Sequence, residues 1–486
     1  MDKTKSHMVS KGFFWKLLER FSVSGIRFIL QIILARMLSP QHYGELSIML
    51  VFTNLANVFI QQGFNTALIQ NKDVREEDYS SVLWISLGIT TITYFVIYAC
   101  SPLIASFYHM PDIVAPMRVL ALMLFPGAFN SVQLAKVSRE MDFKNVFLSN
   151  FGGVLFSGAV GIIIAVLGGG LWSLVAQTLL NVVAVCLVMR FTVHLRIRFV
   201  INWKRIRVLF SYGWKLLISS LLSTLYEDLR SLVIGKKYKS DALGYYNRGQ
   251  QFPHFIISAV NGAVQSVMLP AMSASQDDKD RLRVLARSSI SLSAYVIFPV
   301  MTGLAAVAEP LVILLLTEKW LPCVPYLRIY CMTLAFYPIH SCNLQAINAV
   351  GRSDLFLKLE LIKKIYCIAI LVIAVVCFDS PLAIAATGAI TTCISWFVNA
   401  YPNRKLIGYS YAEQLKDLLP LILLSAVMGG GVLLVGTLHL HIVPKLLLQI
   451  TAGIAIYCSL SALFKPEPFR LIVDRFFGPQ KGTRQS

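Results

Sequence analysis

Two stretches of the chain, LARMLSPQHYG at residues 34–44 and IGKKYKSDALG at residues 234–244, align without a gap when the sequence is shifted by 200 positions. The shift places Leu34 on Ile234 and Gly44 on Gly244. A shift of 212 positions makes three matches later in the chain: Pro126 with Pro338, Gln133 with Gln345, and Asp142 with Asp354. Self-similarity at a fixed spacing is typical of a duplicated structural unit, so the sequence predicts two related halves.

Long apolar runs surround both stretches. The 486-residue chain is 56% hydrophobic and only 14% charged, whereas a soluble protein is typically about 25% charged. This composition excludes a soluble multidomain enzyme and makes a nucleic-acid-binding protein a poor candidate. A membrane-spanning helix needs about 20 mostly apolar residues. Fourteen such runs can be read: 13–38, 42–69, 81–107, 113–135, 146–167, 171–193, 207–234, 242–272, 288–308, 324–350, 355–377, 381–401, 418–437 and 443–464.

The predicted fold is an all-α integral membrane protein of about 14 transmembrane helices. Its domains are two pseudo-symmetric six-helix lobes, 1–206 and 207–402, followed by two more transmembrane helices and a tail at 403–486. Parallel duplication of six-helix units is a transporter architecture, in which the substrate site lies between the halves near mid-membrane.

Basic residues indicate the orientation in the membrane. The net charge is +19, and the connections on the side of the termini hold about five times as many Lys and Arg as those on the other side. Both termini are therefore predicted to be cytoplasmic. One predicted outer connection departs from this bias, because it holds Lys236, Lys237 and Lys239.

Four predicted helices carry polar side chains on one face, at steps of three or four residues. The first two helices carry Arg20, Ser24, Arg27 and Gln31, and then Asn54, Asn57, Gln61 and Asn65. The 200-residue shift leads to Ser220, Thr224, Glu227 and Ser231 in helix seven, and to His254, Asn261 and Gln265 in helix eight. Asn247, Gln251 and Ser258 join the polar face of helix eight. Hydrocarbon does not tolerate such faces, so a water-accessible interior lined by helices 1, 2, 7 and 8 is predicted.

Cationic side chains on these faces predict a phosphate-bearing ligand, because a guanidinium group matches phosphate oxygens well. The predicted substrate-binding residues are Arg27, Arg248, Arg20, Lys215, Gln31, Asn57, Gln61, Asn65, His254, Asn261 and Gln265. Two alternatives stay open: internal ion pairs, such as Arg27 with Glu227 or Lys215 with Glu19, and snorkelling of Arg20 and Lys215 to the cytoplasmic interface.

Acidic residues divide into two groups. Glu227 and Asp228 are adjacent inside a predicted helix, where desolvation favours proton binding, so they predict a proton or sodium coupling element. Alternatively, they neutralise Arg230 and Lys215. The cluster Glu76, Glu77 and Asp78 predicts a solvated turn and helix cap. No nucleotide-binding phosphate loop and no zinc spacing of Cys and His occurs in the sequence, so we expect no catalytic residues, cofactor or metal site.

The segments Ala35–Pro40 with Tyr43-Gly44, Gly63-Phe64 with Ala67–Gln70 and the acidic loop, and Ile234–Lys236 with Ala242–Arg248 resemble those of bacterial polysaccharide flippases. The similarity covers about residues 10–465. The type is the lipopolysaccharide or colanic-acid exporter: Wzx-like, of the polysaccharide transporter family in the MOP superfamily.

The resemblance implies a MATE/MOP-like, V-shaped pair of six-helix lobes that works by alternating access. The implied cargo is an undecaprenyl-diphosphate-linked oligosaccharide, moved from the cytoplasmic to the outer leaflet of the bacterial cytoplasmic membrane. The cationic cavity would hold the diphosphate and sugars while the lipid tail stays in the bilayer. Basic residues line the equivalent cavity of related flippases, which supports Arg27 and Arg248. A polysaccharide polymerase and chain-length machinery are the candidate protein partners.

Two other functions stay open. A multidrug-type small-molecule antiporter would favour an acidic cavity for organic cations, whereas this one is cationic. A membrane polysaccharide polymerase or ligase would need a sizeable outer loop with catalytic groups, and the predicted outer connections are short.

Overall fold

The computed structural model describes residues 3–61, 68–69, 73–140, 143–193, 195, 197–276 and 278–476. These residues form α-helices joined by short turns and 3₁₀ segments, and no strand occurs among them. The predicted all-α class is confirmed. The chain divides into two compact units, Met1–Asn247 and Arg248–Ser486.

Eight helices with described bounds, and the start of a ninth, belong to the first unit. Their bounds are α1 Lys3–Met37, α2 Pro40–Gln61, α3 Glu76–Tyr108, α4 Val114–Leu120, α5 Leu124–Glu140, α6 Phe143–Val166, α7 Leu171–Thr192, α8 Trp203–Lys237 and α9 Ser240–Ser273. The boundary between the units falls inside α9. The division at residues 206 and 402 stays a prediction.

The second unit begins within α9 and continues to the end of the chain. Its further helices are α10 Lys279–Ala306, α11 Ala308–Leu316, α12 Val324–Ala335, α13 Tyr337–Ala349, α14 Ser353–Cys377, α15 Pro381–Ala400, α16 Asn403–Leu406, α17 Tyr411–Gly436, α18 Ile442–Phe464 and α19 Glu467–Phe476. A 3₁₀ segment, Glu318–Cys323, joins α11 to α12.

The helices have the length and composition of membrane spans. Within the described residues, nine helical segments are long and apolar enough to cross a bilayer. The other predicted spans coincide with α1, α8, α9, α14 and the pair α12–α13, so the predicted number of fourteen is consistent with the structure. The protein is a multi-pass membrane protein.

The 200-residue repeat predicted from the sequence reappears as a reciprocal contact in the first unit. A Cβ atom added to Gly44 would lie 1.8 Å from the carbonyl oxygen of Ser240, and one added to Gly244 would lie 2.0 Å from that of Pro40. Pro40 and Ser240 are also 200 positions apart, so the contact of Gly44 with Ser240 and that of Gly244 with Pro40 are the same contact made in both directions. Asn247 and Ser47, also 200 positions apart, hydrogen bond at 2.8 Å between Nδ2 and Oγ. We call this contact the glycine seam.

An ion pair joins α3 to α8 in the first unit. Arg205 donates from Nε to Asp78 Oδ1 at 3.0 Å and from Nη2 to Oδ2 at 2.6 Å. Asp78 is only 2% exposed, so the prediction of a solvated turn is wrong for this residue, because Arg205 compensates the buried charge. Asp78 also accepts from the backbone N–H of Arg75 at 2.9 Å, which confirms its capping role.

A second ion pair joins α10 to α17 in the second unit with the charges exchanged. Arg287 donates from Nε and Nη2 to the two carboxylate oxygens of Asp417, each at 2.8 Å. The 212-residue shift carries Arg205 onto Asp417. The helices joined are equivalent in the two units: α3 and α10 are the third predicted spans of their repeats, and α8 and α17 follow the sixth spans. In both units a bidentate arginine–carboxylate pair joins these two helices.

The glycine seam generates a stability prediction. Gly44→Ala and Gly244→Ala should each lower the unfolding temperature of the purified protein, because a methyl group would collide with backbone that cannot move aside by a rotamer change; overpacking of this kind costs about 1–3 kcal/mol. Gly25→Ala is the matched control, since a Cβ there meets nothing within 4 Å. Equal unfolding temperatures for all three variants would show that the seam is not closely packed.

The ion pair between Asp78 and Arg205 generates a second stability prediction. Arg205→Ala should lower the free energy of unfolding by about 3 kcal/mol, because it leaves the Asp78 carboxylate buried without its cation. Arg352→Ala removes the exposed pair with Asp354, in which both side chains are more than half exposed, and should leave the unfolding temperature almost unchanged. Thermal unfolding in detergent compares the two variants, and a similar loss in both would contradict the assignment.

Candidate functional site

Arg27 lies on α1 next to the buried apolar residues of the same helix, within about 60° of Val23, Leu30 and Leu34. Val23, Leu30 and Leu34 are buried, and Leu30 packs with Phe147 and Val154 of α6. Arg27 is exposed and Gln31 is half-buried.

Arg27 and Gln31 lie on a different side of α1 from its exposed apolar residues. Ile29 and Ile33 are 57% and 37% exposed. At about 100° per residue, Arg27 and Gln31 lie roughly 120–160° around the helix from these two isoleucines. The polar face is therefore not the side of α1 that presents apolar groups to lipid.

Arg27 is more exposed than Gln31, the other described predicted ligand on α1. Glu19, two turns earlier, is the carboxylate whose charge acts on Arg27. The Oε1 atom of Glu19 accepts a hydrogen bond from Asn150 Nδ2 at 2.6 Å, which ties this carboxylate to α6. A guanidinium group at the centre of a membrane-spanning helix costs about 2.5–3.5 kcal/mol in hydrocarbon on the translocon scale, which favours an anionic or hydrated environment.

The polar residues of α2 form a partly internal chain. Gln61 Nε2 donates to Asn57 Oδ1 at 2.9 Å, and Asn57 faces Gly127 of α5, where an added Cβ would lie 3.5 Å from Oδ1. Asn54 is exposed one turn earlier. The structure thus brings Asn57 and Gln61 together, as predicted from their spacing.

A hydrogen-bonded chain links α8, α9 and α2 through Asn247. Ser231 Oγ donates to Asn247 Oδ1 at 3.4 Å, and Asn247 Nδ2 donates to Ser47 Oγ. On α8, Glu227 is exposed and Asp228 is half-buried, and the charge of Glu227 acts on Asp228. Two adjacent carboxylates repel each other, an arrangement in which a bound proton or cation is stabilising.

Arg248, which begins the second unit, has surroundings unlike those of Arg27. It is only 4% exposed, its guanidinium carbon lies 5.2 Å from the ring centroid of Trp320, and it donates to Gln251. The close approach of Gly249 to Cys323 and Tyr326 holds this part of α9 against α12. Arg248 is enclosed in this conformation, so direct contact with a ligand stays a prediction.

The remaining predicted ligands fall into two groups. His254 is exposed, and its ring centroid lies 6.2 Å from that of Tyr330. The side chains of Arg20, Lys215, Asn261 and Gln265 lie outside the described residues, as does all of Asn65. Among the described residues, no group of three or more His, Cys, Asp and Glu forms a metal site.

Sequence reasoning missed a buried amide cluster in the second unit. Asn343 and Gln414 exchange two hydrogen bonds, at 2.8 and 3.0 Å, Trp396 Nε1 donates to Gln414 Oε1 at 2.9 Å, and Asn403 Nδ2 donates to Asn343 Oδ1 at 2.7 Å. These contacts join α13, α15, α16 and α17. The three amides are not spaced on one helix, so no periodic pattern in the sequence could reveal them.

Comparison with known proteins supplies the family. Residues 33–325 match the family model described as polysaccharide biosynthesis protein. The teichuronic acid biosynthesis protein TuaB of Bacillus subtilis is 24% identical over 95% of this chain and 96% of its own. The lipopolysaccharide biosynthesis protein WzxC of Escherichia coli is 23% identical over 85% of this chain and 86% of its own.

The fold is also similar to a solved structure. The lipid II flippase MurJ, in an inward closed conformation, superimposes with a TM-score of 0.74 at 15% identity, over 95% of this chain and 99% of that one. This confirms the fold class that the resemblance implies. The family model covers more than half of the sequence, and the chain belongs to the polysaccharide biosynthesis protein family.

Proposed function

We propose that the protein is a flippase for undecaprenyl-diphosphate-linked oligosaccharide repeat units. It moves them from the cytoplasmic to the outer leaflet of the bacterial cytoplasmic membrane by alternating access, for the synthesis of a cell-surface polysaccharide. Both termini lie in the cytoplasm in this proposal, since the basic residues follow the positive-inside bias. The family and the similarity to a lipid II flippase support the class of cargo.

The observation that carries the proposal is the placement of Arg27. Its side chain is exposed on the face of α1 that turns away from Ile29 and Ile33. A cation at that position suits a diphosphate, because guanidinium–phosphate hydrogen bonds are charge-assisted and strengthen in a medium of low dielectric constant. In this proposal Asn57 and Gln61 supply amide groups for the sugars, and His254 supplies a further polar group.

Arg248 has a different role in the proposed cycle. Its guanidinium is packed on Trp320 and bonded to Gln251, so it contributes positive potential in this conformation and contacts the diphosphate only after α9 moves. Arg20, Lys215, Asn65, Asn261 and Gln265 complete the proposed binding surface by their positions in the repeat.

Complementation tests the function itself. The wild-type protein, expressed in a strain that lacks a defined polysaccharide flippase, should restore surface polymer and remove the accumulated lipid-linked repeat unit, measured by mass spectrometry. A multidrug antiporter would leave the lipid-linked intermediate in place and change only drug sensitivity. A polymerase or ligase would be indicated if the strain instead needed the protein for chain growth after the unit had crossed.

Substitution of Arg27 tests the phosphate contact. Arg27→Ala and Arg27→Glu should lower polymer display at least about tenfold, equivalent to about 1.4 kcal/mol of lost binding, while the amount of membrane protein is unchanged. Arg36→Ala is the matched control, because Arg36 is exposed on the same helix about 180° away from Arg27. Normal display with both Arg27 variants would remove this residue from the site.

Glu227 and Asp228 are the proposed ion-coupling element. Glu227→Gln should flatten the pH dependence of lipid-linked oligosaccharide transport in proteoliposomes, because the remaining carboxylate no longer has an adjacent charge that favours proton uptake. Glu309→Gln, which alters an exposed carboxylate on α11, is the control. An unchanged pH profile in Glu227→Gln would favour the alternative that this pair only neutralises nearby cations.

A further inference from the structure

Three connections of the first unit meet around one cavity of about 760 Å³. The first turn of α2 contributes Gln41, the end of α3 and the two residues after it contribute 108–110, and the end of α8, the connection after it and the start of α9 contribute 236–241. The charge bias assigns all three connections to the outer side of the membrane. Their meeting around one cavity agrees with that assignment.

The cavity wall is rich in lysine. Lys236, Lys237 and Lys239 all line it and all are exposed, and Asp241 is the one carboxylate among its lining residues. These three lysines are also the outer connection that departs from the positive-inside bias. The cavity therefore carries a net positive charge on the side of the membrane where the rest of the sequence has few basic residues.

One lysine shapes the cavity. Lys236 Nζ donates to the carbonyl oxygen of Phe107 at 2.6 Å and lies 4.0 Å from the centroid of the Phe107 ring. That carbonyl belongs to the last turn of α3, where the helix dipole favours a cation. Lys236 thus holds the α8–α9 connection against the end of α3.

Lys237 and Lys239 are positioned at the cavity wall, where they could contact a ligand. Lys237 Nζ lies 5.7 Å from the centroid of the Tyr238 ring, so its side chain lies along the cavity wall, and Lys239 is exposed immediately before the N-terminus of α9. Asp241 is occupied locally, since its Oδ1 accepts the backbone N–H of Ala242 at 2.8 Å. A lysine ammonium is a compact charge on a flexible stem, which suits a phosphate that is bound and then released.

We propose that this cavity, the lysine cavity, is a second phosphate site that receives the diphosphate of the cargo on the outer side of the membrane, with Lys237 and Lys239 as its ligands. The proposal rests on the flippase function proposed above and assigns that function an exit site. A volume of about 760 Å³ lies within the range of ordinary ligand pockets, about 300–1,000 Å³, and admits a diphosphate with an attached sugar.

Binding of inorganic pyrophosphate to the full-length protein in nanodiscs tests the site. The double variant Lys237→Gln/Lys239→Gln should raise the Kd measured by calorimetry at least about tenfold, whereas Lys445→Gln, which alters a half-buried lysine of α18, should leave it unchanged. These titrations are made in an Arg27→Gln background, so that pyrophosphate bound at the proposed site on α1 does not contribute to the measured Kd. Wild-type affinity in the double variant would overturn the proposal.

A second arm identifies the source of the phosphate. Undecaprenyl diphosphate added to the nanodisc lipids should compete and raise the apparent Kd for pyrophosphate. If pyrophosphate binding depends on the two lysines but undecaprenyl diphosphate does not compete with it, the cavity binds a free anion and is not the exit site. Lys239→Cys should react with a membrane-impermeant maleimide added to spheroplasts, above the wild-type background. Absence of that reaction would place the cavity on the cytoplasmic side and overturn the proposal.

The two proposals fail separately. Failure of the wild-type protein to restore polymer in the deletion strain would reject the flippase function whatever the calorimetry shows. Restoration by the wild-type protein and fully by the lysine double variant would keep the flippase function and reject the exit site. Because both lysines are exposed and Lys236 remains in place, the double variant should unfold at the wild-type temperature.

Discussion

Hydrocarbon offers no hydrogen-bond partner, and this constraint determines where every polar group of the protein can lie. The side chains of α1 obey it with three different surfaces: one packed on α6, one apolar and exposed, and one polar. The same constraint accounts for the amide cluster of Asn343, Gln414 and Asn403, in which neutral groups satisfy one another inside the second unit. The polar residues of α1 and of the amide cluster are thus either gathered on one face or paired inside a unit.

The two ion pairs show how a duplicated architecture keeps a contact while its residues change. Asp78 and Arg205 join α3 to α8, and Arg287 and Asp417 join α10 to α17 with the acid and the base exchanged. The energetic requirement is a satisfied charge pair, and this requirement is indifferent to which helix provides the carboxylate. Residue identity therefore underestimates how much of the repeat is retained, whereas the pairing itself shows it.

Periodicity and spacing predicted the helical class, the approximate positions of the spans and the 200-residue relation, because each follows from burial along a single helix or from a constant offset. They also predicted that Asn57 and Gln61 lie together. They could not predict that Asp78 is buried or that Arg248 is enclosed by Trp320. Each depends on a partner more than 70 positions away, brought close only by the packing of several helices. Whether a charged residue is exposed depends on tertiary packing. The local sequence predicts that residues 76–78 are all solvated, but the contact with Arg205 buries Asp78.

The glycine seam has a consequence for how these proteins can diversify. Its closest approaches, Gly44 to Ser240 and Gly244 to Pro40, are made with backbone carbonyl atoms rather than with side chains. The packing of the start of α2 against the start of α9 is consequently independent of the chemistry of the neighbouring side chains. Substitutions on the polar faces of α1, α2 and α9 can therefore change the cargo without changing this packing. One joint of the molecule would then stay constant while relatives adapt to different sugars.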